Sequence, residues 1–178
     1  MIDTYFAFNK VTNNDRQYWD LNAVVNSMKL WKIKAVPEDG TVEVPEMVDG
    51  IPVTFLVLEG LMDVPTTPIE RLVLPKTLIT IGGRLPMVEE ELVIDKDNPK
   101  WCSDGVSLLS KDGTLLRQMC VKNKHSYVIP DGVKTIGYRA FKDIAIEELT
   151  IPDSVATIEQ GAFDGCFSLR EVHGGNNV

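Results

Sequence analysis

A 22-residue repeat in the last third of the chain constrains the fold more than any other feature of the sequence. Residues 127–141 read YVIPDGVKTIGYRAF and residues 149–163 read LTIPDSVATIEQGAF, and the two segments align without a gap at an offset of 22 residues. Self-similarity at a period of roughly 20 to 50 residues is typical of stacked-repeat proteins. One coil cannot bury both of its faces, so the repeat predicts coils that stack on their neighbours.

Weaker copies of the repeat lie upstream. Residues 72–82 read LVLPKTLITIG, residues 42–54 read VEVPEMVDGIPVT, and residues 91–95, ELVID, supply another strand start without the proline. Together with the two strong copies, these segments predict about five coils.

The residue types within one repeat predict its local structure. Leu149 and Ile151 alternate with a polar residue, which is typical of a short strand, and Pro152 ends that strand because proline has no N–H to donate. The apolar residues that follow are spaced as in an α- or 3₁₀-helix and are expected to point inward: Val155, Ile158, Ala162, Phe163 and Cys166. The fold class predicted from this pattern is an α/β-type solenoid.

The complete pattern of residues 151–172, IPxxVxxIxxxAFxxCxxLxxV, resembles the BspA-like leucine-rich repeats of bacterial proteins. The resemblance covers roughly residues 33–173. It implies a curved, right-handed stack of coils with one strand per repeat. It also implies a non-catalytic module of the adhesion type that binds a protein or a glycan, in a cell-surface or secreted protein.

The first 32 residues do not match the repeat. We therefore expect an N-terminal cap at 1–32 and a solenoid at 33–178, the two forming one structural domain, because an uncovered first coil would expose its core. Within the cap, residues 4–8 are aromatic and are expected to form a strand. Residues 14–29 carry apolar side chains three to four positions apart, which predicts an amphipathic helix.

An insertion interrupts the repeats. The spacing from Leu92 to Tyr127 is 35 residues, against 20 from Leu72 to Leu92. Two strand-like segments within this insertion flank Asp112-Gly113, which predicts a β-hairpin within about 101–121. We expect the hairpin to protrude from the solenoid, either as a lid over neighbouring coils or as a binding loop.

Charge and hydropathy narrow the classes of partner. The formal net charge is -8, the pI is about 4.8 and the mean hydropathy is -0.03, so we expect no binding to nucleic acid or to anionic membranes. No window has the length and apolarity of a membrane helix, and no secretory signal is visible in the chain as given. The compartment is therefore unknown from the residues themselves.

The sequence contains no motif for catalysis or metal binding. It has two histidines, and no HExxH, CxxC or GxSxG pattern, so we expect no catalytic residue, cofactor or metal. Residues 95–98, DKDN, resemble the start of a calcium loop, but Pro99 occupies the next ligand position. The three cysteines, Cys102, Cys120 and Cys166, are expected to be free thiols rather than a disulfide framework.

The outward positions of the predicted strands form the candidate interaction face. Two interpretations remain for these positions: β-branched residues that stabilise a sheet, or a ligand-binding surface that is apolar in the middle and acidic at its rim. The candidate residues are Arg71, Val73, Glu91, Val93, Ser126, Val128, Glu148, Thr150 and Glu171.

The C-terminal end supplies the alternative function. After Val172 the chain continues as HGGNNV, with no obvious polar cap. The last strand would then present an open edge. The alternative is therefore a structural or self-assembly module that forms a homodimer through this end.

Overall fold

A computed structural model of the chain describes residues 2–12, 27–58 and 66–178. These residues fold as a β-solenoid whose described part contains one single-turn helix, α1 (Ile2–Tyr5). The strands are β1 (Phe6–Lys10), β2 (Met28–Ile33), β3 (Thr41–Glu43), β4 (Met47–Val48), β5 (Ile51–Leu58), β6 (Arg71–Leu74), β7 (Thr80–Gly83), β8 (Glu91–Ile94), β9 (Trp101–Ser103), β10 (Ser107–Ser110), β11 (Leu115–Met119), β12 (Ser126–Val128), β13 (Thr135–Ile136), β14 (Glu148–Ile151), β15 (Thr157–Ile158) and β16 (Glu171–Gly174).

The chain divides into two compact units. The first comprises Met1–Pro86 and Val93–Pro99, and the second comprises Met87–Leu92 and Lys100–Val178. Strand β8 crosses the boundary, with Val93 and Ile94 in the first unit.

Two sheets build the first unit. In one, β1 is antiparallel to β2, β2 is parallel to β5, and β5 is parallel to β7. In the other, β3 is parallel to β6, and the sheet continues to β8. Strands β4 and β5 form a hairpin whose turn residues, Asp49 and Gly50, both have positive φ (52° and 74°), as the favoured two-residue hairpin turn requires.

The second unit repeats this topology. Strand β10 is antiparallel to β11, and β11, β13 and β15 follow in parallel. Strands β12, β14 and β16 form the second parallel sheet. The seven strands β10 to β16 of the second unit therefore have the same order and pairing as the strands of the first unit without β4, which are β1, β2, β3, β5, β6, β7 and β8. Each unit is thus a stretch of solenoid that starts from an antiparallel pair of strands.

The 22-residue repeat sets the register of the second unit. Thr135 pairs with Thr157 and Ile136 with Ile158. Between coils, the amide of Phe141 donates to the carbonyl of Ala162 at 2.7 Å. The ring of Phe141 is fully buried and stacks on Phe163, with centroids 5.2 Å apart. Ala140 and Ala162 are also buried, and their small side chains permit this close approach of successive coils.

The helical part of the predicted α/β fold is not confirmed. Residues 155–166 form the short strand β15 and a series of turns instead of a helix. The β-branched pair Thr157-Ile158 extends a parallel ladder, an arrangement that suits such side chains. Gly161 and Gly165 have φ of 66° and 76°, which no right-handed helix contains.

The insertion contains an antiparallel pair, β10 and β11, but it does not protrude as expected. Strand β11 is itself the first strand of the parallel ladder with β13 and β15, and its Leu116 is fully buried. A third strand, β9, which the sequence analysis did not predict, pairs with β10. The insertion therefore forms part of the solenoid wall because alternate residues of β11 point into the core.

Other details of the predicted cap and coil count also differ. The first strand begins at Phe6 rather than Thr4, after the turn of α1. Residues 14–26 of the expected helix lie outside the described residues, and its last two, Met28 and Lys29, belong to β2. The division into a cap and a solenoid stays a prediction. The count of about five coils is not confirmed. In the described residues, the sheet β3-β6-β8 and the sheet β12-β14-β16 together contain six strands.

We expect the buried aromatic stack to dominate the stability of the second unit. Phe141→Ala should lower the free energy of unfolding by about 3–5 kcal/mol, because the variant loses buried apolar contacts and leaves a cavity. Phe167→Ala is the matched control, since the ring of Phe167 is 97% exposed and its removal should cost no more than about 0.5 kcal/mol. Urea denaturation followed by circular dichroism measures both values. Equal losses in the two variants would contradict this packing.

Candidate interaction surfaces

The second unit aligns one of the predicted outward columns. Ser126, Glu148 and Glu171 occupy the same register position on β12, β14 and β16, and all three are exposed. Val128 and Thr150 align at the second position, where His173 follows them on β16. This surface has two carboxylates on adjacent strands, which gives it a locally negative potential.

The first unit places its candidate residues differently. Arg71 is exposed and pairs in register with Thr41, whereas Val73 is half-buried and pairs with Glu43. Val93 is half-buried on the next strand of the same sheet. Glu91, also half-buried, belongs to the second unit, so the nine candidates are divided between the two units.

A groove of about 600 Å³ lies where the strands of this first-unit sheet end. It is lined by residues 43–46, 73–75 and 93–97, three segments that follow one another from coil to coil. Pro45 and Pro75 end the first two strands, since proline cannot continue a ladder as a donor, and the chain turns away at these points. Val73 and Val93 line the groove, so two predicted face residues belong to this concavity.

Hydrogen bonds hold the rim of the groove in place. The amide of Asp95 donates to the carbonyl of Leu74 at 3.0 Å, and Asp95 Oδ1 accepts from the amide of Asp97 at 2.8 Å. Asn98 is buried, and its side-chain amide donates to the carbonyls of Pro75 and Leu78 at 3.0 and 2.8 Å. The segment that resembled a calcium loop is thus a turn fastened to the preceding coil.

A hydrogen-bonded cluster that was not predicted from the sequence surrounds Tyr127. The Tyr127 hydroxyl donates to Asp104 Oδ2 at 2.6 Å and lies 2.9 Å from Ser107 Oγ, while Asp104 Oδ1 accepts from the Ser107 amide. Burial, followed by the nearby Asp104 carboxylate, raises the pKa of Tyr127 above its ordinary value. The only sequence signal was a tyrosine at the position that Leu149 occupies in the next repeat.

This cluster fastens the turn before β10 to the start of β12. Its three polar groups are hydrogen-bonded to one another. The Asp104 carboxylate accepts from the hydroxyls of Tyr127 and Ser107, and these two hydroxyls also bond to each other. Neither histidine lies in the cluster, and the raised pKa keeps the Tyr127 hydroxyl protonated. The arrangement therefore acts as a structural clamp.

The cysteines are free thiols, as predicted. Cys120 is buried, and burial raises the pKa of the half-buried Cys102 and Cys166 thiols above their ordinary value. Cys166 Sγ donates to the carbonyl of Phe141 at 2.9 Å, so this thiol joins neighbouring coils. A raised pKa disfavours the reactive thiolate.

Within residues 2–12, 27–58 and 66–178, no group of three or more histidine, cysteine, aspartate or glutamate side chains could hold a metal ion. The same described residues contain no helix that is long and apolar enough to span a membrane. His125 Nδ1 lies 3.3 Å from Glu147 and His173 Nε2 lies 3.6 Å from Glu171, so each histidine is beside a carboxylate.

Comparison with known proteins agrees with the repeat pattern. Residues 118–178 match the family model described as "BspA type Leucine rich repeat region (6 copies)". Residues 118–178 thus resemble a BspA-type leucine-rich repeat region. The resemblance inferred from residues 151–172 is confirmed. The matched segment coincides with the well-aligned repeats of the second unit, whereas the looser copies upstream lie outside it.

Solved structures of bacterial proteins share the solenoid fold of this chain. The pneumococcal vaccine antigen PcpA has a TM-score of 0.59 and 25% sequence identity, over 74% of this chain and 33% of that one. A leucine-rich repeat protein from Eubacterium ventriosum has a TM-score of 0.52 and 18% identity, over 75% of this chain and 41% of that one. The chain thus spans well under half the length of either protein. No curated protein matches it significantly.

The Tyr127 clamp predicts a stability loss in alkali. The folded chain keeps the Tyr127 proton at pH values where the unfolded chain, with a pKa of about 10, releases it. The clamp's contribution is therefore complete below pH of about 10 and is lost as the pH rises further, by up to about 1.4 kcal/mol per pH unit. Tyr127→Phe lacks this dependence and should cost about 1–2 kcal/mol at neutral pH.

Urea denaturation near pH 8 and near pH 11 measures this effect. The stability difference between the native chain and Tyr127→Phe should shrink at the higher pH. Tyr138→Phe is the control because Tyr138 is exposed, so its difference from the native chain should stay near zero at both values. A Tyr127→Phe difference independent of pH would contradict the clamp.

Proposed function

We propose that the chain is a non-catalytic interaction module that binds a protein or a glycan partner through its solenoid surface. The observation that carries this proposal is the exposed, in-register column of Ser126, Glu148 and Glu171 on adjacent strands of a BspA-type repeat region. Solenoids commonly use such extended sheet surfaces for binding.

An adhesion-type role at the cell surface or in a secreted protein is part of this proposal. It is supported by the similarity to a pneumococcal vaccine antigen and to the BspA-type family. The exposed carboxylates favour a partner with a basic surface, because complementary potentials accelerate encounter and suppress wrong partners.

Charge reversal tests the binding surface. Labelled protein is applied to glycan and peptide arrays, and the strongest ligand is then measured with Glu148→Lys/Glu171→Lys. We expect at least tenfold weaker binding, since each reversal replaces an attraction by a repulsion. The matched control, Glu38→Lys/Glu90→Lys, changes the net charge equally at exposed carboxylates outside the column. Equal weakening in both variants, or no ligand on either array, would refute the proposal.

A second candidate function is self-assembly through β16. All four residues of this strand are exposed, and Val172 is 52% exposed. An open strand edge with an apolar residue is a template for pairing with another chain.

Light scattering across a concentration series tests assembly. Self-assembly predicts a dimer that forms with rising concentration and is lost in Val172→Lys, because the added charge would be buried in the contact. Val128→Lys, which alters an exposed valine on β12, should leave the dimer intact. A monomer at all concentrations would rule this role out.

A further inference from the structure

The lining of the first-unit groove combines apolar and acidic residues. Val73, Val93 and Ile94 belong to this lining and are half-buried, so they keep apolar surface available to a ligand. Four of its lining residues are carboxylates, Glu43, Glu46, Asp95 and Asp97, against one lysine, Lys96. An adjacent lysine, Lys76, lies 3.4 Å from Glu46. The lining thus remains net negative even after this ion pair is counted.

This chemistry matches a lysine or arginine side chain. Such side chains lay their aliphatic stems along apolar surface while their charged heads stay near water or a carboxylate. The lining contains no aromatic side chain on which a sugar ring could stack. Its negative charge disfavours anionic ligands.

The groove has the width of a short peptide. It crosses three neighbouring strands, β3, β6 and β8, whose spacing of about 4.8 Å gives a span of roughly 10 Å. An extended chain advances about 3.3 Å per residue, so about three residues cross it. The rim is already ordered by the Asn98 and Asp95 hydrogen bonds, which lowers the entropic cost of binding.

We infer that this groove binds an extended, cationic peptide segment of a protein partner. The inference rests on the proposed interaction function and names the chemistry of one ligand. Lysine or arginine heads meet the carboxylates of Glu43 and Asp97 at the rim, and the intervening apolar side chains contact Val73 and Val93.

The corresponding positions of the second unit carry less of this charge. By the shared topology, Val128 stands where the first unit has Glu43, and Gly175 and Asn177 stand where it has Asp95 and Asp97. Asn177 Nδ2 donates to the carbonyl of Asp153 at 2.6 Å, so its side chain is already engaged. Asp131 stands where the first unit has Glu46, so the second unit carries one carboxylate at these positions against four in the first unit.

Fluorescence anisotropy with defined peptides tests the inference on the full chain. The probe is a labelled, end-blocked hexapeptide that alternates lysine and valine. The comparison peptides replace lysine by glutamate or valine by serine. We expect binding of the lysine–valine peptide only, weakened by added salt. Glu43→Gln/Asp97→Asn should weaken it about three- to tenfold, with an unchanged circular dichroism spectrum and melting temperature.

Glu38→Gln/Glu90→Gln is the matched control, because it neutralises two exposed carboxylates outside both the groove and the Glu148 column and should leave the affinity unchanged. If Glu148→Gln/Glu171→Gln weakens peptide binding and the groove variant does not, the groove inference fails while an interaction role through the Glu148 surface survives. Absence of peptide binding up to about 1 mM also overturns the inference. In that case, the array experiment with Glu148→Lys/Glu171→Lys still decides the proposed function independently.

Discussion

Contact between successive coils is the interaction on which the second unit depends. A single coil has too little apolar surface to fold alone, and the 22-residue repeat places equivalent residues directly over one another. The stack of Phe141 on Phe163 and the hydrogen bond from the Phe141 amide to Ala162 follow from this register. Small alanines beside the rings then become a requirement, because a larger side chain would separate the coils and stretch the ladder.

This constraint separates the residues that build the fold from those available for recognition. The inward positions are committed to packing, and the prolines are committed to ending strands. Variation is free only at outward strand positions and at the turns after the strands, where the Glu148 column and the first-unit groove lie. Similar backbones can therefore present different chemistry, as the exchange of Glu43 for Val128 between corresponding strands illustrates.

The sequence predicted the stacking of coils well, because the pairing of Ile136 with Ile158 follows directly from the repeat offset. It misassigned residues 155–166 because apolar spacing of three to four residues fits a turn–strand–turn coil as well as a helix. The hairpin was expected to protrude because turn chemistry is local, whereas the pairing of β11 with β13 is a long-range contact. The groove could not be predicted from single strands, since its walls come from three coils, and the Tyr127 clamp depends on an aspartate 23 residues away.

Native-state hydrogen exchange tests the central claim most directly. The amides of Met119 and Phe141 donate to Ala140 and Ala162 in the following coil, so each reports one contact between coils. If stacking holds the second unit together, both amides should exchange only through cooperative unfolding, with the same free energy as the amides of β14. Exchange of Met119 and Phe141 at the rate of an unstructured chain, while β14 stays protected, would contradict the account.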